Sequence, residues 1–395
     1  MTNRFKYIIV GAGMMGAAAA RHLSLRTDGV ALIGPAEPAN LQDHDGVFAS
    51  HYDEARITRT IDPDPVWARL AHQSIARYDA IAAESGIGFY TECGCLLVGP
   101  QRTQEASYVA NVLAAAERLD VQTALVDDAG LRQRFPCFAF PEGSEGVLED
   151  RNAGYINPRQ LVRAQTRLAE RQGTTVIRET AAAVREEAGQ AVVTTAEGRV
   201  CFAERVLVAA GGFSINEALL PRRLALDVYA RTVAFYEVDE GALDRWGNLP
   251  SLIWKWSEED DGIYLLPPVR YPDGRFYLKI GGDPDDSLLE RESDVRSWFR
   301  SGGRESTHRH LTQVMERLMP DLDLARTSRA ACVTSFTPTG YPAISMASPR
   351  IGVLAGGCGA AAKSSDEIGR LGADLLFHGA IQDTAYAADF TARFV

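Results

Sequence analysis

Lysine is scarce in this 395-residue chain: only four of its 41 basic residues are lysines, namely Lys6, Lys255, Lys279 and Lys363. The 52 acidic residues outnumber the basic ones and leave a net charge of −11. A field of that sign repels nucleic-acid phosphates and anionic lipid, so we expect neither nucleic acid nor a membrane as a partner. Because arginine is the usual cation here, an interior lysine suggests a task for its compact, titratable ammonium.

Cysteines and long apolar runs are also few. The six cysteines lack the spacing of a disulfide framework or a zinc site, which predicts no metal and a reducing, cytoplasmic location. Arg4 and Lys6 before the apolar run 7–20 imitate a secretion signal, but the three glycines within the run favour a strand, a turn and a helix. Elsewhere no stretch has the roughly 18 uncharged residues of a membrane span. The length is typical of about two domains.

A dinucleotide fingerprint opens the chain. The apolar strand 4–10 leads into the turn Gly11-Ala12-Gly13-Met14-Met15-Gly16, an alanine-rich helix and a second strand at 30–33. In such a turn Gly11 permits the tight bend, Gly13 and Met15 bring the backbone to a pyrophosphate, and Gly16 lets the helix pack on the strand. The second strand does not end in the acid that usually holds a ribose hydroxyl. Glu37 is the nearest substitute, and it can equally be a solvated loop charge.

Two later glycine turns favour flavin over nicotinamide. Strand 205–210 runs into Gly211 and Gly212, whose backbone can approach a bound dinucleotide. Gly357 and Gly359 precede the last helix, whose N-terminus would stabilise negative charge on a reduced flavin. A plain glycine loop is the alternative at both turns.

These nucleotide-binding segments lie at both ends and in the middle of the chain. Residues 227–280, which are rich in β-branched and aromatic side chains, indicate an antiparallel sheet between them. We therefore predict an α/β fold in which a discontinuous Rossmann-like FAD-binding domain comprises residues 1–88, 152–222 and 327–395. An antiparallel-sheet substrate domain comprises residues 89–151 and 223–326.

Charged residues near these glycine turns are candidates for binding and chemistry. Arg56 and Arg59 lie three residues apart after Ser50, and arginine suits bidentate recognition of a carboxylate. A surface ion-pair segment is the alternative. Lys279 lies within an apolar strand, where an unpaired ammonium is costly and usually has a task or a partner. Lys363 follows the last glycine turn.

The chain resembles monomeric sarcosine oxidase and its relatives, the N-methyl and secondary amino acid oxidases of the D-amino acid oxidase superfamily. The likeness covers nearly the whole chain, and its motifs follow one another in the order and at the spacing found in that family. It is carried by G-A-G-M-M-G at Gly11, S-H-x-x-x-x-R-I-x-R at Ser50, G-Y-I-N-P-R at Gly154, L-K-I-G at Leu278, A-C-x-x-x-x-T-P at Ala331 and A-G-G-C-G-x-x-x-K at Ala355.

The resemblance implies a role for each matching residue. Arg59 and Lys363 would bind the substrate carboxylate, and Tyr264 would line the substrate pocket. Lys279 would promote the reaction of reduced flavin with oxygen, since a fixed positive charge stabilises developing superoxide. The residues implied to contact FAD are Gly11, Gly13, Met15, Gly16, Ser50, Arg56, Gly211, Cys332, Gly357, Gly359 and Lys363. Two of the four lysines thus fall on functional positions.

Cys332 matches the cysteine through which the family attaches FAD covalently, although a buried cysteine can also act as a small hydrophobe.

Relatives carry histidines where this chain has Tyr52 and Asp283, and both positions would face the active site. A carboxylate at Asp283 would select a substrate that bears a cation or a hydroxyl, unless Asp283 is a turn residue before Pro284.

The resemblance implies an FAD-dependent amine oxidase acting on an N-methyl, N-alkyl or cyclic secondary amino acid. The C–N bond would be oxidised to an imine that hydrolyses, with O2 reduced to H2O2. We expect a monomer or a weak homo-oligomer. The alternatives are a dehydrogenase that passes electrons to a quinone or carrier protein, a flavoprotein subunit of a larger complex, and a nicotinamide dehydrogenase.

Overall fold

A computed structural model describes residues 3–257 and 262–395. The strands within these residues are β1 (Arg4–Val10), β2 (Val30–Ile33), β3 (Arg56–Thr58), β4 (Tyr90–Glu92), β5 (Cys95–Pro100), β6 (Ala124–Val126), β7 (Ser144–Glu149), β8 (Gly154–Ile156), β9 (Thr175–Ile177), β10 (Ala181–Glu187), β11 (Gln190–Thr195), β12 (Val200–Val208), β13 (Asp227–Val238), β14 (Ser251–Trp254), β15 (Ile263–Arg270), β16 (Phe276–Gly281), β17 (Ser287–Leu288), β18 (Thr327–Phe336), β19 (Ala343–Met346) and β20 (Ile351–Ala355).

The α-helices of the same residues are α1 (Met14–Ser24), α2 (Pro65–Ile75), α3 (Tyr78–Ser85), α4 (Tyr108–Arg118), α5 (Asp128–Arg134), α6 (Pro158–Arg171), α7 (Leu243–Trp246), α8 (Glu292–Ser301), α9 (Glu305–Leu318) and α10 (Ala361–His378). Short 3-10 helices form at Gly211–Ile215 and Glu240–Ala242. None of these described helices is long and apolar enough to cross a membrane.

The first sheet has the order β10-β11-β12-β1-β2-β9, and β20 joins β12 and β19. The strands β9, β2, β1, β12 and β20 are mutually parallel, which is the arrangement of a dinucleotide-binding sheet. Both faces are covered, so its central strands are continuous apolar runs. On one face α1 crosses α10 closely, because a Cβ on Gly369 would lie 2.5 Å from the Cβ of Ala18.

The second sheet has the order β17-β13-β16-β15-β14-β5-β7-β6, with β18 on β13, and it is antiparallel except between β14 and β5. The predicted antiparallel layer and the α/β fold class are therefore confirmed. β18 lies within the range assigned from sequence to the FAD-binding domain, but it pairs with β13 along its whole length. A small third sheet joins β3, β8 and β4.

Alternation along the strands of the second sheet decides which residues face the first sheet. On β16, Leu278 and Ile280 pack in an apolar core together with Leu311 and Met315 of α9. Successive side chains of a strand point to opposite faces, so Lys279 and Gly281 face the other way. On β15 the same alternation places Tyr264 on that face, next to Gly281 of β16.

Candidate active site

A cavity of about 710 Å³ is lined by residues of both large sheets. That volume lies within the range of cofactor and small-molecule sites. The first sheet and its connections contribute the β1–α1 turn, residues 209–213, Gly357 and residues 359–363. The second sheet contributes residues of β13, β15, β16 and β18. The cavity is therefore the candidate site for both a dinucleotide and a substrate.

The β1–α1 turn is closed by glycines that leave no room for side chains. Gly11 has φ 109°, and a Cβ there would lie 2.2 Å from the carbonyl oxygen of Ala209. A Cβ on Gly16 would lie 1.8 Å from the carbonyl oxygen of Gly11. Gly13 is the N-cap of α1 and provides no capping side chain, and Gly13 and Met15 line the cavity. The first N–H groups of α1 are thus available to an anion.

The other two glycine turns leave open space in the cavity. Gly211 and Gly359 have φ of 57° and 76°, and a Cβ on either would meet no atom within 4 Å. Gly357 also lines the cavity, and a Cβ there would press on Ala361 in the first turn of α10. A cavity lined by two helix N-termini without side-chain caps and by three glycine turns fits FAD.

Glu37 is not placed at this cavity. Its carboxylate accepts hydrogen bonds from Arg159, at 2.9 Å from Nε and 2.7 Å from Nη2, and Arg159 also bonds Glu54. Ser50, in contrast, lines the cavity, and its carbonyl oxygen accepts a bond from Arg56 at 3.0 Å. The ribose-binding role of Glu37 therefore stays a prediction. In the structure its partly exposed carboxylate forms an ion pair with Arg159.

Lys279 is held by a carboxylate that the sequence interpretation overlooked. Its Nζ lies 2.5 Å from Oδ2 of Asp53 and 2.8 Å from the carbonyl oxygen of Ala55. The same carboxylate forms an ion pair with Arg56 and accepts a bond from the Tyr271 hydroxyl at 2.8 Å. Burial lowers the pKa of Lys279 well below its ordinary value, and the nearby Arg56 adds to that effect. We call Asp53, Arg56 and Lys279 the Asp53 cluster.

The Asp53 cluster borders the cavity mainly through Arg56. Arg56 lines the cavity, whereas the Lys279 residue is only 1% exposed. Tyr264 lies between Lys279 and the cavity: its ring centroid is 5.7 Å from the Lys279 ammonium, and the residue itself lines the cavity. Burial raises the pKa of Tyr264 to about 12, so its hydroxyl stays protonated. Gly281 fits the ring tightly, since a Cβ there would lie 2.4 Å from it.

Arg59 and Lys363 meet at a second carboxylate, also absent from the sequence interpretation. Oδ2 of Asp62 lies 2.8 Å from Nζ of Lys363 and 3.3 Å from Nη1 of Arg59. Both cations line the cavity, and their role in binding a substrate carboxylate stays a prediction. Burial lowers the pKa of Lys363 to about 8, against the opposing effect of Asp62. We call these three residues the Asp62 cluster.

Glu149, at the end of β7, fixes the loop between Arg59 and Asp62 through hydrogen bonds to its backbone. Its buried carboxyl accepts backbone bonds from Thr60 at 2.9 Å and from Ile61 at 3.0 Å. Burial raises the pKa of Glu149 to about 7, although those N–H groups favour its charged form.

Tyr52 lies in the cavity wall next to His51, at 4.8 Å between ring centroids. His51 faces the dinucleotide turn, because a Cβ on Gly13 would lie 3.8 Å from its Nδ1. The charges that act on the Tyr52 hydroxyl belong to Glu37, Arg159 and Arg178, and burial raises the pKa of Tyr52 to about 12. Tyr52 is thus placed toward the nucleotide turn and away from the Asp62 cluster. Burial and neighbouring arginines lower the pKa of His51 to about 3, which keeps its ring neutral.

Asp283 lines the cavity only with its backbone, because its side chain is fully buried. Its carboxylate pairs with Arg304 at 2.7 Å and accepts bonds from the Thr307 hydroxyl at 3.2 Å and the Thr232 N–H at 3.1 Å. The prediction that this carboxylate faces a substrate is therefore not supported by its orientation. It joins β13 to α9.

Cys332, on β18, lies in the cavity wall opposite Arg231 of β13. Its half-buried thiol is 3.6 Å from Nη2 of Arg56, and its carbonyl oxygen accepts a bond from the Trp298 indole at 2.7 Å. All six cysteines are free. In the described part of the chain, no group of three or more His, Cys, Asp or Glu could hold a metal ion.

The two overlooked carboxylates have a signal in the sequence. Asp53, Arg56, Arg59 and Asp62 follow one another at intervals of three residues, so that two acids flank two arginines. In the structure each acid pairs with the nearer arginine and with one of the two interior lysines.

Two known proteins are similar to the chain over nearly its whole length. The chain is 24% identical over 387 residues to monomeric sarcosine oxidase from Bacillus sp. (strain NS-129), which covers 96% of the chain and 94% of that protein. It is 26% identical over 389 residues to monomeric sarcosine oxidase from Streptomyces avermitilis, with 96% and 95% covered.

Solved structures share the fold at low sequence identity. The open form of NikD, an unusual amino acid oxidase essential for nikkomycin biosynthesis, has a TM-score of 0.76 at 21% identity and covers 100% of the chain and 98% of NikD. L-proline dehydrogenase from P. horikoshii has a TM-score of 0.75 at 16% identity, with 97% and 96% covered. Residues 6–375 match the family described as FAD dependent oxidoreductase (DAO). The chain therefore belongs to this family of FAD-dependent oxidoreductases.

Proposed function

We propose that the chain oxidises the C–N bond of an N-methyl, N-alkyl or cyclic secondary amino acid. The observation that carries this proposal is the pair of cations, Arg59 and Lys363, in the cavity wall. The relatives named monomeric sarcosine oxidase support the same substrate class.

The Asp62 cluster has the charge of a carboxylate site. Two cations and one carboxylate leave a net charge of +1 in a buried wall, which a single substrate carboxylate would neutralise. Docking the carboxylate at this point would fix the amine and its neighbouring carbon within the cavity. Orientation of that kind supplies much of the rate of such reactions.

An apolar wall follows the carboxylate site. Ile57 of β3 and Ile253 of β14 both line the cavity, and Ile253 is paired with Tyr264 across the strands. This surface suits an uncharged N-substituent. Low polarity and the nearby cations also favour the neutral form of the substrate amine, which is the form that can lose electrons.

The residues that would hold FAD are the β1–α1 turn, Ser50, Arg56, Gly211 and the turn 357–359. When bound, FAD supplies the acceptor for the two electrons released from the C–N bond. The amine loses two electrons and two protons, water hydrolyses the resulting imine, and O2 takes up the electrons and protons as H2O2.

Lys279 is proposed to assist the oxygen reaction through its positive charge. Stopped-flow measurement on protein reduced with dithionite and mixed with oxygenated buffer tests this step without any amine. Lys279→Met should slow flavin reoxidation strongly and leave reduction by the amine nearly unchanged, and equal slowing of both would remove the role.

A second candidate function is a dehydrogenase that passes electrons to a quinone or carrier protein. The observation in its favour is that the Lys279 ammonium is bonded to Asp53 and Ala55 and is almost fully buried. The peroxide yield in air separates the two candidates. The purified protein should convert N-methyl or cyclic amino acids with about one H2O2 per amine oxidised, and turnover that needs an artificial acceptor would establish the dehydrogenase.

We also propose that Cys332 bonds FAD covalently, supported by its thiol in the cavity wall. After acid precipitation the yellow colour should stay with the protein pellet, and in Cys332→Ala it should move to the supernatant. Colour released from the unaltered protein would exclude the bond.

A further inference from the structure

Asp62 stands behind the two cations of the carboxylate site and does not itself line the cavity. Its side chain is 10% exposed, and its second oxygen, Oδ1, accepts a bond from the Asp64 N–H at 3.0 Å. Nζ of Lys363 bonds Asp62 at 2.8 Å and the carbonyl oxygen of Trp67 at 3.3 Å. The lysine is thus anchored on the side away from the cavity.

Two buried cations next to each other are unstable without a counterion. Arg59 stays charged at any ordinary pH, so the proton that would be lost is that of Lys363. The charged or titratable groups that interact with Lys363 are Asp62, Arg59, Glu149 and the Cys95 thiol. Of these, only Asp62 contacts its ammonium.

We propose that Asp62 is the positioning residue of the carboxylate site: it holds Arg59 and Lys363 side by side, and it keeps Lys363 protonated in the pH range where the substrate binds. This inference rests on the proposed function, because it assumes that these cations receive the substrate carboxylate. It deepens that function by predicting that the site takes an anion of one charge, since Asp62 pairs with both cations and compensates one of their two charges, while Glu149 acts on them only from a distance.

The opposite interpretation is that Asp62 competes with the substrate for the two cations. Its location behind them and its backbone bond to Asp64 argue against competition. The two interpretations predict opposite effects of Asp62→Asn on anion binding, so one titration decides between them.

The first experiment titrates the FAD-loaded protein with acetate, a monocarboxylate that cannot be oxidised at a C–N bond, and follows the flavin absorbance from pH 6 to pH 9.5. We expect Asp62→Asn to weaken acetate binding about tenfold at pH 8, because Lys363 loses its proton and its anchor. Asp374→Asn is the matched control. Asp374 is a buried partner of Arg26 near the C-terminal end of α10, the helix whose first turn carries Lys363, and its loss should leave acetate binding unchanged. Unchanged or tighter binding by Asp62→Asn would overturn the proposal.

The second experiment needs no cofactor and uses the scarcity of lysine. Protein labelled with 13C at lysine Cε gives four lysine signals, and Lys363→Met identifies the relevant one. The Lys363 signal should titrate near pH 8 in the unaltered protein and at least about one pH unit lower in Asp62→Asn. Equal titration midpoints would contradict the proposal even where acetate binding changes.

The two experiments separate failure of this inference from failure of the proposed function. If the unaltered protein binds no acetate, the carboxylate site is lost from the proposed function, while the lysine titration still judges Asp62. If Asp62→Asn does not fold, the double variant with Lys363→Met should fold, because removing Lys363 returns the net charge of the cluster from +2 to its original +1. A double variant that also fails to fold would mean a purely structural role and would overturn the proposal.

Discussion

Asp53 and Lys279 are 226 residues apart in the chain, yet Oδ2 of one lies 2.5 Å from Nζ of the other. The contact joins the loop before β3 to the middle of β16 and also includes Arg56. Removing one partner of a buried ion pair leaves an uncompensated charge, which makes this contact testable by stability alone.

Asp53→Asn should lower the free energy of unfolding by about 3 kcal/mol, measured by urea denaturation at pH 7. The double variant with Lys279→Met should recover most of that loss, because Lys279 is the more deeply buried of the two cations that Asp53 compensates. Tyr271→Phe is the control, since it removes one hydrogen bond to Asp53 but no charge, and it should cost about 1.5 kcal/mol. A double variant as unstable as Asp53→Asn would contradict this account.

Gly281→Ala should damage the substrate pocket by displacing Tyr264. The added methyl group would lie 2.4 Å from the ring, which must move. We expect kcat/KM for the best amine substrate to fall about ten- to a hundredfold, because displacements near 1 Å are that costly. In a Tyr264→Ala background the same glycine change should have almost no further effect. An equal effect in both backgrounds would show that the ring is not the cause.

Glu149 should make stability depend on pH between about 4.5 and 7. Because its folded pKa is raised from 4.5 to about 7, its contribution is complete below pH 4.5 and is lost as the pH rises through 7. Glu149→Gln should therefore lessen the decline in stability between pH 5 and pH 8.5 by on the order of 3 kcal/mol.

The difference between the unaltered protein and the Glu149→Gln variant, measured by denaturation at pH 5, 7 and 8.5, isolates this group. Glu145→Gln on the same strand, where Glu145 pairs with Arg102, serves as the comparison. Parallel pH profiles for the unaltered protein and Glu149→Gln would refute the assignment.

Asp283→Asn should affect stability and leave substrate choice alone. Its buried carboxylate compensates Arg304, so we expect a loss of about 3 kcal/mol and an unchanged ranking of amine substrates. Asp285→Asn, at an exposed neighbouring position, should change neither. A changed ranking in Asp283→Asn would restore the specificity role expected from sequence.

The glycine framework and the cavity-lining cations could be predicted because their signals are local. Gly11 and Gly16 are required by close backbone approach, and Arg59 and Lys363 stand within recognisable motifs. The acids could not be assigned in the same way. Asp62 and Lys363 are 301 residues apart, and nothing in either segment indicates the other. Their regular spacing with the arginines was visible, but its meaning depends on which lysines the fold brings near.

The orientation of Asp283 and the sheet membership of β18 were hidden for a related reason. The side chain of an acid that follows a strand can face a cavity or a helix. Here Asp283 faces α9, because it pairs with Arg304 at the N-terminus of that helix. β18 adjoins the nucleotide-binding segment in sequence but extends the second sheet, because β13 offers it a ten-residue edge. Tertiary pairing decides such cases.

The close crossing of α1 and α10 has a consequence for biosynthesis. The helix that begins at the dinucleotide turn is buried by the helix that ends at His378, and β1 neighbours β12, which in turn pairs with β20. During translation β1 and α1, which form one part of the cofactor-binding surface, are synthesised long before β20 and α10, which complete it. The dinucleotide cradle is therefore complete only after residues 351–378 have been synthesised, and we expect FAD to bind after that point.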